Sequence, residues 1–419
     1  MSQWLNEVID SASDVNDFLA PARQAALADL KNEGWPARRN ESWRFTPLTP
    51  IEKRTAVAAK TVANAEIPAI DNLNAIDLVF VDGVLATELS SIEVPEGMAI
   101  IALNTSDSAA QSSITDMFGS VKPARHLFGR VNDALSTQGV FIDVNADTKV
   151  DTPIRIINIA TQNVDAHSRV LVNVQANASA VIIEQSVGNV DSLTTAFAEY
   201  SIADDAHLEH YRFAMVTGSA KQLGGSHFKL HNRSTLNSTV VGYGSELSRL
   251  DVDIHHAGEF ADAKMNAIYL LAEGELFDLH STIEHAMPNG TTEENARGIV
   301  GDKARAVFNG RIHIHRDAQK TLAELNNRNL LLSRRGVINT KPELEIYADD
   351  VKCAHGATVA EIEEEALYYL LTRGVSRSKA LVMLNFGFIQ ELINDVPNEA
   401  IKTWLLPVLS ERFSHMEVK

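Results

Sequence analysis

From about residue 139 to residue 358 the chain alternates apolar and polar positions in short runs, at 140–144, 154–159, 168–175, 180–185, 207–216, 250–255, 267–271, 277–285, 311–315 and 344–347. A period of two sends successive side chains to opposite faces of a strand, so the pattern predicts strand after strand with almost no helix between them. About 220 residues of strand are too many for one ordinary sandwich, which leaves a barrel, a double sandwich or a β-helix. Several runs close on a histidine, at His231, His255, His285, His315 and His355. Their spacing of roughly 24 to 40 residues is rung-sized for a solenoid, although no sharp repeat consensus accompanies it. A solenoid would bury the aliphatic rows and leave the polar ones outside.

Both ends of the chain switch to helical spacing. Trp4, Leu5, Val8 and Ile9 fit one helix, and Phe18, Leu19, Ala22, Ala26 and Leu30 fit another. Pro21 separates the two or starts the second, and Gly34 and Pro36 stop it. The run 35–48 is proline-punctuated and aromatic, with Trp35, Pro36, Arg38, Trp43, Phe45 and Pro47, and reads as an ordered arm. Residues 51–138 are mixed, with an Asp82-Gly83 hairpin signal between apolar residues and a short helix at 130–136. Near the C-terminus Thr358 and Glu361 have capping-box spacing, predicting a helix over 362–373 with Ile362, Ala366, Tyr369 and Leu370 on one face. Gly374 ends that helix, Ser376 caps a second over 377–394 carrying Ala380, Leu381, Leu384, Phe388 and Leu392, and Pro397 opens a third with Trp404, Leu405 and Val408. Pro407 kinks or ends the third. The expected division is 1–50 helical with the arm, 51–138 mixed, 139–358 β core and 359–419 helical, the last suited to capping a solenoid or docking another protein.

Composition narrows the function classes. The chain has 419 residues, 45% of them hydrophobic and 22% charged, with aromatics at 6%, so the core is aliphatic. A net charge of −18 argues against a sequence-independent nucleic-acid binder and against docking on anionic lipid. One cysteine excludes an internal disulfide framework and fits a reducing compartment. No apolar run approaches the roughly 20 residues that span a bilayer, and the first residues lack a secretion-signal pattern. The expected location is the cytoplasm.

The candidate chemistry centres on Cys353 and His355. Two residues apart on a strand, they project to one face, with Lys352 and Ala354 on the other. A thiolate and an imidazole suit a transition metal or an iron–sulfur cluster, but two donors do not close a four-ligand site. The competing reading is a small buried thiol and a hydrogen-bonded histidine. His313 and His315 share a strand face with Ile314 inward, and no carboxylate stands at ligand spacing in sequence, so a solvated face is the plainer reading. His255 and His256 point to opposite faces. Asp278, His280, Glu284 and His285 form a further cluster whose default is an exposed strand and turn. There is no P-loop, strand-linked GxGxxG, GxSxG or HExxH motif, hence no self-sufficient catalytic constellation.

Several segments together, in one order, carry a family resemblance. They are the arm at 35–48, Gly310 with 318–321, the run 325–333 containing Asn326, Asn327 and Asn329, 342–346, 350–355 with Cys353 and His355, 368–374, and 380–388. On these the chain resembles the SufB/SufD family of the Suf iron–sulfur cluster assembly system. The arm and the single cysteine favour the SufD branch. The resemblance implies a mainly β chain, a right-handed parallel β-helix flanked by N-terminal and C-terminal α-helical regions. It implies pairing with SufB through the β-helix and with the ATPase SufC through the C-terminal helices. It assigns His355 to nascent cluster assembly at the SufB interface, with Cys353 at a neighbouring family position. The cluster is then transient and shared, the subunit is non-catalytic, and ATP hydrolysis falls to SufC. A reduced flavin accompanies some assembled complexes of the family, and no flavin motif occurs in this chain.

Two alternatives stay open at this point. A SufB-type primary scaffold would bind a cluster by itself, which a single cysteine disfavours. A β-helix polysaccharide hydrolase or lyase would need clustered carboxylates in a groove, and low aromatic content disfavours a sugar-stacking cleft. A β-helix edge meant for SufB can also self-pair into a homodimer when the partner is missing.

Overall fold

The computed structural model describes residues 2–37, 39–58, 64–91, 93–361, 364–414 and 416, the side chains of 364, 378, 381, 382 and 385 excepted. Arg38, Ile362 and the side chain of Leu381, which entered the sequence patterns, lie outside the described residues.

Ser2 opens α1 (Gln3–Ala12) by accepting from the Leu5 amide at 3.0 Å, and α2 (Ala20–Glu33) has Pro21 in its first turn and ends at Gly34 with φ 67°. The arm follows, with a single 3-10 turn at Glu41–Trp43 and then α3 (Thr49–Glu52). Strands β1 (Ile76–Val81) and β2 (Val84–Leu85) form the hairpin that Asp82-Gly83 predicts. Next come β3 (Met98–Ala102), α4 (Ser108–Met117) and α5 (Leu127–Leu135).

The rest of the body is a parallel β-solenoid. Its strands are β4 (Gln138–Val144), β5 (Ile154–Ile159), β6 (Asp165–Val174), β7 (Ser179–Gly188), β8 (Leu193–Ile202), β9 (His207–Val216), β10 (Lys221–Leu230), β11 (Thr235–Tyr243), β12 (Leu247–His256), β13 (Asp262–Leu271), β14 (Leu276–His285), β15 (Thr291–Val300), β16 (Arg305–Ile314), β17 (Leu322–Leu331), β18 (Val337–Ile346) and β19 (Lys352–Glu361). Even-numbered strands from β4 to β18, joined by β3, make sheet A, and odd-numbered strands from β5 to β19, joined by β1 and β2, make sheet B. Each coil gives one strand to each sheet. Ladder partners stand 26 residues apart between His227 and Asp253 and 32 apart between His313 and Glu345. That variable offset explains why the sequence shows rung-sized spacing without a sharp consensus.

Inward rows build one long aliphatic lumen, for example Phe277, Leu279 and Ile283 of β14 against Ala263, Met265 and Ala267 of β13. The corners have a sequence cause. Asp147, Asn177 and Asp205 hold left-handed φ values of 58°, 58° and 60°, a region that Asn and Asp enter at low cost. Asn177 also donates to the Asp147 carboxylate across the corner at 3.0 Å.

Helices cover the outer faces of both sheets. Trp4, Leu5, Leu27, Leu30 and Phe128 pack on Leu193, Phe197, Leu223 and Leu247 of sheet A. The C-terminal helices α6 (Glu364–Thr372), α7 (Arg377–Asn394) and α8 (Glu399–Ser414) pack Ile389, Leu392, Ile401 and Leu405 on Phe213, Val241, Ile268 and Ile299 of sheet B. Strands such as β6, β8 and β10 are therefore buried on both faces, their polar positions included. Among the described residues no helix is long and apolar enough to cross a membrane.

Two local expectations are corrected. Thr358 to Glu361 are not a helix cap; they are the last strand residues of β19, in register with Arg328 to Leu331. The β17 edge offers these amides a ladder, which outcompetes a local cap. Pro407 does not end α8, which continues past it to Ser414, its buried row Ile401, Leu405, Leu409 and Phe413 holding it against sheet B.

Candidate functional site

β19 is the final strand of sheet B, and β17 is its ladder neighbour among the described residues. Cys353 lies in register with Ala323 and His355 with Leu325. Ala323 and Leu325 are fully buried lumen residues, so Cys353 and His355 face the lumen side, as their spacing predicts. No described strand continues either sheet past this coil. The inward face is therefore open here: Cys353 is half-buried against the end of the core and His355 is exposed. Burial pushes the Cys353 thiol up, with a backbone hydrogen bond to Ala323 pulling the other way. In the chain alone the sulfur is held as thiol, and a neighbouring cation or metal would be needed to make it a thiolate.

The asparagine run beneath this coil is a buried polar ladder. Asn329 donates to Asn327 at 2.6 Å, Thr340 of β18 donates to Asn327 at 2.7 Å, and the Tyr269 hydroxyl donates to Asn329 at 2.5 Å. These bonds couple the two sheets just inside the open end and fix the strand that positions β19. Opposite, β18 carries Pro342, which lacks an amide for a further ladder and is suited to an edge.

The other sequence candidates separate. His256 lies in the lumen, stacked on His285 at 4.0 Å, with the Thr292 hydroxyl 3.0 Å from each ring; burial holds His285 down at about 4. Asp278 accepts from Thr46 at 2.5 Å and lies 2.9 Å from His280, tying the arm to sheet A. Glu284 leaves that group and joins His313 and His315. The sequence alone missed this carboxylate because the ladder, not local spacing, brings it alongside His313.

A second group escaped sequence reading altogether. His126 and His227 both reach Asp253 at 2.7 Å beneath the helix α5 connection, and Arg125 pairs with the same carboxylate. Burial pushes the His227 ring down, while it opposes, and the two imidazoles outweigh it to secure, the ionised form of Asp253. The three residues are too far apart in sequence to leave a local signal. Nearby, a cleft of about 380 Å³ separates the arm from sheet A, lined by Trp43, Arg249, Asp251, His280, Arg311 and Glu345.

A two-sheeted parallel solenoid with helices on both outer faces ends, among the described residues, in a last coil that presents a thiol and an imidazole at its edge. The chain belongs to the SufBD family: the SUF system FeS cluster assembly, SufBD core domain, matches residues 157–388, and the SufBD protein N-terminal region matches residues 5–156. It is 29% identical to the iron–sulfur cluster assembly protein SufD of Escherichia coli, over 94% of this chain and 93% of that one. It is 28% identical to the iron–sulfur cluster assembly SufBD family protein slr0076 of Synechocystis sp., over 98% and 94%. It is 27% identical to the chloroplastic protein ABCI7 of Arabidopsis thaliana, over 96% and 88%. Its role is accordingly in Suf-system iron–sulfur cluster assembly, as a scaffold-type protein.

Proposed function

We propose that this chain is the SufD-type subunit of a cytoplasmic assembly complex, pairing with SufB through the open coil of β18 and β19 and with the ATPase SufC through α6 to α8. The observation that carries this reading is the placement of Cys353 and His355 on an inward face that no further coil covers among the described residues. Exposed Val337, Ile346 and Val359 surround the same end, where unpaired strand edges invite another chain. His355, with Cys353 beside it, supplies part of a ligand set for a nascent iron–sulfur cluster, and SufB supplies the rest. Iron and sulfide are cargo at this edge, and the cluster is shared and transient. SufC hydrolyses ATP, and the reduced flavin of such complexes belongs to the assembly. Without SufB the same edge pairs with a second copy of this chain.

The test is co-expression with SufB and SufC, anaerobic purification, and assay of iron and acid-labile sulfide. His355→Ala is expected to leave the complex intact and to lose most of its iron and sulfide, with Cys353→Ala losing less. Failure of the parent chain to form the complex would sink the pairing. Unchanged cluster content in His355→Ala would remove that residue from the site.

A further inference from the structure

We propose that Glu284, His313 and His315 form a binding site for a divalent first-row transition cation on the outer face of sheet A. The site is separate from the Cys353–His355 edge, and its argument does not rest on the assembly role. Strands β14 and β16 pair in parallel with Glu284 directly beside His313. His315 is two residues on, so it shares the outward face, and Ile314 between them is buried in the lumen. One donor atom from each of the three residues lies within 4.8 Å of the others. The His315 Nε2 already stands 2.8 Å from the Glu284 carboxylate, and the two imidazoles have centroids 4.6 Å apart. Small side-chain rotations bring such a trio to the roughly 2.0–2.2 Å that nitrogen and carboxylate oxygen adopt around zinc.

A neighbouring carboxylate orients the nearer ring. The His313 Nδ1 lies 2.9 Å from Glu345 of β18, and Arg311 holds that carboxylate by two bonds of 2.9 and 2.6 Å while also approaching Nδ1 at 3.0 Å. The tautomer that donates from Nδ1 to Glu345 leaves the Nε2 lone pair for a cation. A carboxylate behind a ligating histidine is the usual support of such a site. The register continues the row: His255 of β12 stands on the far side of Glu284, as Glu345 stands on the far side of His313.

Access is also right. The side chains of Glu284, His313 and His315 are 42%, 18% and 43% exposed, so a hydrated ion can reach them while the backbone ladder holds their spacing. By contrast, His126, His227 and Asp253 are closed in and already bonded to one another. Two imidazoles and one carboxylate with open positions favour zinc, cobalt, iron or nickel over calcium and magnesium, which prefer all-oxygen shells. The competing account is a plain hydrogen-bonded stack that fastens β14, β16 and β18 together.

The two are separated by titrating the untagged, chelator-treated chain with Co2+, followed by visible absorption and equilibrium dialysis. The parent chain is expected to take up one equivalent with ligand-field bands, and competing Zn2+ to abolish them. The double variant His313→Ala/His315→Ala is expected to lose that equivalent, and Glu284→Gln to weaken it about tenfold. His355→Ala should retain it. These outward side chains do not fill the core, so thermal unfolding is expected to show each variant folded. The site is overturned if the parent binds no Co2+, if the folded double variant binds as the parent does, or if the bound equivalent disappears only in His355→Ala.

Discussion

β8 and β19 are both ten-residue parallel strands of the same solenoid, yet their fates are opposite. Every residue of β8 but one is buried, because sheet A has coils on both sides of it and the N-terminal helices outside. β19 has the same ladder geometry with one neighbour among the described residues, and none of its residues is buried. Burial here is a property of position in the stack. An interior coil commits its inward side chains to stability, whereas a terminal coil can carry Cys353 and His355 at little cost to the fold. This is the one-dimensional logic of repeat architectures, in which ends are free to bind.

The contrast can be pressed hardest at a buried charge. In the interior coils Glu184 accepts from Tyr200 at 2.8 Å and Ser226 at 2.7 Å and pairs with Arg212 and His210. Burial opposes its charge, but Arg212 and these bonds hold its carboxyl down at about 2. Glu184→Ala strands Arg212 in the lumen and is expected to cost about 3–5 kcal/mol in denaturant unfolding.

Ile314 and Ile346 make the comparison at matched chemistry. They are ladder neighbours on successive strands, one 0% and the other 41% exposed. Ile314→Ala is expected to cost about 2–5 kcal/mol and Ile346→Ala under about 1 kcal/mol, as read by urea midpoints. Equal losses would mean that the last coil is as tightly closed as the interior.

A titration tests the lumen itself. Glu294 points inward, accepts from Ser281 at 2.6 Å, and is pushed up to about 7 by burial. Its folded state therefore holds a proton more tightly than the unfolded chain does. The stability this contributes is present below about pH 4.5 and is lost as pH rises through about 7. Glu294→Gln, neutral throughout, should gain over the parent between pH 5 and pH 8, by on the order of 2 kcal/mol at the upper end. A constant difference in melting temperature across that range would contradict the assignment.

The smallest effect on stability is expected at the edge. His355→Ala should alter the unfolding free energy of the isolated chain by less than about 0.5 kcal/mol, the usual range for an exposed substitution away from caps and cores. The same variant is the one expected to lose iron and sulfide in the complex. A large destabilisation would move His355 from ligand to structural support.

Much of this was legible in the chain. The alternating runs between β4 and β18 lie where strands form, because an inward aliphatic row must repeat every second residue to fill a lumen. The shared face of Cys353 and His355 followed from the same period. Thr358 and Glu361 misled because a capping box is a local signal, and the free edge of β17 was invisible to it. The arm at 35–48 was readable as ordered, but not its route: Arg249 stacks on Trp43 at 4.1 Å and Lys341 of β18 bonds Glu41 at 2.5 Å, contacts that span hundreds of residues.

By itself, then, the sequence determined most strand and helix identity, the inward and outward faces and the corner turns, which follow from patterns within a few residues along the chain, residues 358–361 excepted. The tertiary structure alone decided which faces stay open and which distant side chains meet. Glu284 joins His313, His126 joins Asp253, and β19 is left with one neighbour among the described residues, because coil offsets of 26 to 32 residues set lateral register and no short-range pattern encodes them.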